Sequence, residues 1–138
     1  MSGQFTDAYK KSAIKYLLDG SDPLTGVTTL YVSLHTANPI SSGAGSQNTS
    51  ETSYTGYARV AILRNISDWD DLTAGVENAV KLTFGTNTVG TPTLTHFGIG
   101  LSSSGAGTLL FSGTITPNVT LAVADAPAFK IGDLEVKA

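Results

Sequence analysis

The spacing of apolar side chains changes period once along the chain. Phe5, Ala8, Tyr9, Ala13, Tyr16 and Leu17 recur near i, i+4, i+8 and make one stripe. This predicts a helix over about 4–18, capped by Thr6 or Ser2 and stopped at Gly20. Asp7 suits its positive end. A helix this short is marginal in isolation, so it must dock on its own sheet or on a neighbouring subunit.

After Pro23 the period is two. In VTTLYVSLH, Leu30, Val32 and Leu34 face one side, and Thr29, Tyr31, Ser33 and His35 the other, as in a half-buried strand. TGYARVAIL reads as a second strand, and AVKLTF puts Val80, Leu82 and Phe84 on one face. TLTHFGIGL sets Phe97, Ile99 and Leu101 against His96, Gly98 and Gly100. TLLFSGTI aligns Leu109, Phe111, Gly113 and Ile115; Pro117-Asn118 turns the chain; VTLAVA points Val119, Leu121 and Val123 inward. Near the end, Phe129 and Ile131 share one parity and Leu134 and Val136 the other, with a bulge expected at Gly132-Asp133. NISDWDDLTAGVEN reads as an irregular connection holding Trp69. The expectation is an all-β domain over 1–138: an antiparallel sandwich or jelly-roll-like fold of about seven strands after one helix.

One stretch breaks the pattern. No large apolar side chain lies between Ile40 and Tyr54. Such a run builds no core, so 41–53 is expected to be a surface loop, either free or draped over a neighbour.

Composition sharpens this picture. Charged residues are 14% of the chain, against roughly 25% in ordinary soluble domains. Nineteen Thr, fourteen Ser and fifteen Gly fill the gap, as in β-rich proteins that work packed against neighbours. The net charge is −3, and the only basic cluster, Lys10, Lys11 and Lys15, falls on the predicted helix. That is a solvated helix face, not a phosphate-binding surface, so no nucleic-acid partner is expected. No run approaches the roughly 18 apolar residues of a membrane helix, and no secretory signal precedes the helix. The sequons at Asn48, Asn65 and Asn118 then read as chance. Without cysteine there is no disulfide framework or thiolate site.

Candidates for chemistry are thin. His35 and His96 need proximity and a carboxylate to hold a metal, and nothing in their spacing supplies either. Asp68, Asp70 and Asp71 crowd three carboxylates together but lack the Gly and distal Glu of a calcium loop. GIGLSSSG has Ser103 where a dinucleotide fingerprint needs glycine, and turn residues follow it. Neither a catalytic set nor a cofactor is expected. Tyr31, Tyr54, Tyr57 and Trp69 could build a sugar-stacking face, which makes a carbohydrate-binding host-attachment module the alternative reading.

Four blocks occur in order: TTLYVSLHTANP, SYTGYARVAI, LTHFGIGLSSSGAGTLLFSGTIT and FKIGDLEV. Together they resemble a family of small tailed-bacteriophage virion proteins, described as tail-fibre-like or head-associated. The resemblance runs from about Phe5 to Val136. It implies a non-catalytic structural subunit located in the virion, either capsid-decorating (cement) or tail/fibre-attached. Its partners would be major capsid or tail proteins and further copies of itself, as trimers or larger rings. The contacts are expected at Phe5, Tyr9, Tyr16, Tyr54, Tyr57 and the 41–52 loop.

Overall fold

The computed structural model describes residues 2–41 and 45–137. Ser2–Phe5 form strand β1, and Asp7–Asp19 form the helix α1. The strands β2 (Thr29–His35), β3 (Val60–Leu63), β4 (Trp69–Leu72), β5 (Gly75–Asn78) and β6 (Leu82–Thr83) follow. β7 (Thr93–Gly100), β8 (Leu109–Thr120), β9 (Ala128–Phe129) and β10 (Glu135–Lys137) complete the fold. Eight of them make one sheet in the order β3-β2-β7-β8-β1-β10-β5-β4, and β6 pairs with β9 in a short ribbon. The pairs are antiparallel except β1 with β10. The all-β class with one N-terminal helix is as the sequence predicts, but ten strands form among the described residues where about seven are expected, because short segments such as 2–5 and 69–78 also pair.

The sheet curls. Its two outer strands, β3 and β4, are consecutive in the chain and joined only by residues 64–68. Eight flat strands would separate them by about 34 Å, while the connection can reach about 20 Å. The sheet therefore bends until its ends meet at this corner. There the Trp69 indole N–H donates to the Leu63 carbonyl at 3.0 Å, and the Leu63 N–H to an Asp68 carboxylate oxygen at 2.8 Å. Inside the curl, Leu24, Leu30, Ile99, Leu110 and Val136 pack together. On the same side of β2 and β7, Leu34 and Phe97 are covered by Leu82, Phe84 and Phe129, whose rings meet edge to face.

The Thr6 cap and the Gly20 stop are as expected, while several other sequence expectations are corrected. The helix begins at Asp7, not Gln4, because residues 2–5 pair with β8 and β10. Thr6 is the N-cap: its hydroxyl accepts from the Tyr9 N–H and donates to the Leu109 carbonyl. Gly20 closes the helix in the left-handed region, at φ 77°. NISDWDDLTAGVEN is no irregular connection but carries the β4–β5 hairpin. Residues 55–59 are not strand, and only 60–63 pair with β2.

Pro117-Asn118 does not turn the chain; β8 runs through it, with a cis Thr116-Pro117 bond. A register shift separates Leu109, opposite Gly100, from Phe111, opposite Ile99, so those two side chains take opposite faces. Leu121 is buried, but Val119 and Val123 are exposed. Residues 130–133 make a hydrogen-bonded turn in place of the expected bulge. It is held by the buried Asn78, which bonds to Val80, Lys130 and Leu134.

Candidate functional site

The polar run is not an inert loop. Residues 42–44 lie outside the described residues, but 46–52 strap back across the second face of the sheet. That face carries Ser33 and His35 on β2 and Gly98 and Gly100 on β7. It is buried, where alternation alone predicts a half-exposed strand. The strap bonds by backbone to Thr36, Leu34 and Gly107.

Its side chains then fill the space the glycines leave. Gln47 is fully buried, and its carbonyl accepts the Ser102 N–H at 2.8 Å. A Cβ at Gly100 would come within 2.2 Å of the Gln47 side chain and 2.5 Å of the Thr108 carbonyl oxygen. Glycine is therefore required there.

An ion pair locks the strap. Arg59 grips Glu51 through two N–H···O bonds of 2.7 Å, and its side chain is 2% exposed. The Tyr57 hydroxyl donates to the same carboxylate at 2.6 Å and accepts the Leu34 N–H at 3.1 Å. Burial and the adjacent carboxylate push the Tyr57 phenol well above its ordinary range. The remaining Arg59 donors reach the carbonyls of Ser102 and Gly105. One guanidinium thus binds the strap to the 102–105 turn. A bidentate pair in a dry setting is geometrically selective, which Lys could not reproduce.

The two histidines face each other across β2 and β7. His35 is fully buried. Its Nδ1–H donates to the Thr49 carbonyl at 2.8 Å, which leaves Nε2 to accept from the Ser33 hydroxyl at 2.8 Å. Burial holds the imidazole pKa below its usual value, and the charges of Arg59 and His96 push the same way against Glu51. Burial also lowers His96, whose Nδ1 meets the Thr95 hydroxyl.

Since Glu51 is spent on Arg59 and Tyr57, no carboxylate joins the histidine pair. Among the described residues no three metal donors converge anywhere. Asp68 bonds to the Leu63 N–H, while Asp70 and Asp71 lie exposed on β4.

Because the native His35 is held neutral, protonation favours the unfolded chain. Stability is full above the unfolded pKa of about 6.5 and falls as the pH drops below it. The melting temperature should therefore decrease between pH 7 and pH 5. In His35→Gln that slope should flatten, which a thermal-shift series would read.

The anticipated contact residues divide. Tyr54 is buried, with its hydroxyl on the Gly85 carbonyl, and its ring meets Tyr57 edge to face. Tyr57 stacks on Phe84. Both rings therefore spend their surface inside the chain. Phe5 and Tyr9 stack on each other, and both meet Phe111, Phe5 tilted and Tyr9 edge-on, and so root α1. Tyr16 is 52% exposed. Trp69 lines the interior of the curl, and Tyr31 lies mid-strand between β3 and β7. The aromatics do not share one open face of the kind a sugar ring needs.

Beyond its root, α1 stands away from the body. Among the described residues it makes no extended contact with any strand, and a cleft of about 320 Å³ lies between Tyr9, Ala13, Tyr16 and Leu17 and the segment of Asp22, Pro23 and Arg64. The expected stripe is only part of its apolar surface. Ile14 and Leu18, outside that stripe, are 55 and 83% exposed, and Leu17 at its margin is 79% exposed. Ile14 and Leu18 carried no part of the sequence reading; apolar residues on two sides of one helix were the available signal. Gln47, Glu51 and Arg59 were also missed, although Glu51 is the only carboxylate between Asp22 and Asp68.

A family model described as podophage GP4 fiber I protein gp80 matches residues 4–137. No curated protein matches the chain. No helix among the described residues is long and apolar enough to cross a membrane.

Proposed function

The chain belongs to the family of podophage GP4 fiber I protein gp80 and is a structural component of the virion; we propose that it is a fibre-attached subunit acting by packing, without turnover. The family's fibre description favours fibre attachment over capsid decoration. The observation that carries the packing mechanism is the uncovered apolar surface of α1. Ile14, Tyr16, Leu17 and Leu18 are all more than half exposed on a helix of 13 residues. A helix of that length is marginal without tertiary contacts, and the ring contacts of α1 described here are at its root. Covering three such aliphatic side chains contributes roughly 1.5–3 kcal/mol each.

In this reading the body is a rigid mount. Phe5 and Tyr9 anchor the helix, and the Glu51–Arg59 lock fixes the strap. Tyr54 and Tyr57 serve the contact indirectly, by holding the residues around them in place.

The double variant Leu17→Asp/Leu18→Asp should fold with an unchanged melting temperature, since neither side chain is buried. It should be absent from particles assembled in its presence, when the wild-type chain is found there by mass spectrometry. Incorporation of the variant at the wild-type level would refute the packing role of α1. Per-particle copy number tests the location: a small complement fits the fibre, and hundreds of copies fit the capsid surface.

A further inference from the structure

We infer that the occupant of the α1 surface is the acidic leaf β4–β5–β10 of a second copy of this chain. This rests on the reading of α1 as a contact surface and names its partner.

On the outer side of that leaf, Asp70, Glu77 and Glu135 sit directly opposite one another on three adjacent strands. Like charges at facing positions oppose strand pairing. Lys137 balances only Glu135. Asp70 and Glu77 form no ion pair among the described residues. Leu72 shares this side of β4 with Asp70. The 131–132 turn borders the row: a Cβ at Gly132 would lie 3.4 Å from a Glu77 carboxylate oxygen. Ile131 in that turn is 63% exposed. The leaf therefore offers a short acidic row with apolar margins.

The outer side of α1 has the complementary composition. Lys10 is engaged by Asp7 at 3.1 Å, but Lys11 and Lys15 form no ion pair among the described residues. They lie one turn apart, about 6 Å along the axis, interleaved with Ile14 and Leu18. Asp70 and Glu77 lie on neighbouring strands, about 5 Å apart. Two ammonium groups at the helical spacing can thus meet two carboxylates at the strand spacing while the aliphatic side chains meet Leu72 and Ile131. Within one chain, α1 makes no extended contact with β4, β5 or β10. A helix-to-leaf contact joins different patches of the two copies, so it builds closed rings when the rotation closes.

Charge reversal on the full-length protein tests this. Lys11→Glu/Lys15→Glu and Asp70→Lys/Glu77→Lys should each weaken self-association about tenfold or more by analytical ultracentrifugation. Circular dichroism should show both still folded. Mixing the two variants should restore assembly, because each reversed helix then meets a reversed leaf. Added salt should weaken the wild-type assembly. A wild-type chain that stays monomeric at every concentration would overturn the inference, as would an acidic-leaf variant that assembles like the wild type. If Leu17→Asp/Leu18→Asp still abolished incorporation into particles, the packing role would stand and the partner would be another virion protein.

Discussion

Arg59→Ala should lower the stability of the folded chain by roughly 3 kcal/mol, the scale for removing one partner of a buried ion pair. For a domain of this size that is a fall of about 10 °C in melting temperature. The loss has three parts. Glu51 keeps its charge with only the Tyr57 hydroxyl to bind it. The Ser102 carbonyl loses its Arg59 donor, and the Gly105 carbonyl loses one of two, keeping the Gly107 N–H. Among the described residues, the strap over Ser33, His35 and Gly98 is then secured by backbone bonds, by Gln47, Thr49 and Thr36, and by the single Tyr57–Glu51 bond. Arg59→Lys separates charge from shape: it restores one cation but not the fork, and should recover less than half of the loss. Thermal melts together with amide exchange at Thr52 would check both, since the Thr52 N–H bonds to the Leu34 carbonyl beneath the strap. Wild-type exchange and melting in Arg59→Ala would mean that the pair does not hold the strap.

Asn78→Ala should be comparably severe. Asn78 is fully buried, with both amide hydrogens on the carbonyls of Val80 and Lys130 at 2.8 Å and its oxygen on the Leu134 N–H at 2.9 Å. Truncation strands the Val80 carbonyl and the Leu134 N–H, each worth about 1–3 kcal/mol when left dry, and takes one of two donors from the Lys130 carbonyl, which keeps the Asp133 N–H; relaxation recovers part of it. A net loss of about 3 kcal/mol is expected, read as a shift of the urea midpoint. Asn78→Asp keeps the acceptor but buries a charge and loses both donors. Its stability should improve on mild acidification, opposite in sign to the His35 effect, which identifies the site. Equal midpoints for wild type and Asn78→Ala would show that the 130–134 turn is held by other means.

The sequence was most legible where packing alone decides the side-chain pattern. Leu30, Val32 and Leu34, or Phe97 and Ile99, alternate because one side of each strand meets a large apolar core. It was least legible where polar groups replace that core. Ser33 and His35 look like surface residues by composition, yet they are sealed by a strap of equally polar residues. Hydropathy cannot distinguish a hydroxyl satisfied by protein from one satisfied by water.

The β4–β5 hairpin was hidden for a related reason. Asp70, Asp71 and Glu77 have poor strand propensity, and the pairing is set by the corner at 64–68 and by contact with β10. Conversely, the 3.6 period located α1 but could not say which of its sides faces inward. Tyr9, Tyr16 and Leu17 all fall in the expected stripe, yet Leu17 is nearly as exposed as Leu18 outside it.

The corner where Trp69 reaches Leu63 has a consequence for life in a crowded particle. A flat sheet of eight strands would present two ladders of unused amides, and copies held side by side could zip together through them without limit. Here the outermost strands turn towards each other at a connection too short to let them part. Each edge then crowds a strand that would dock on the other, which leaves side chains, whose charge and shape mutation can alter one residue at a time, as the open route for recognition between neighbours.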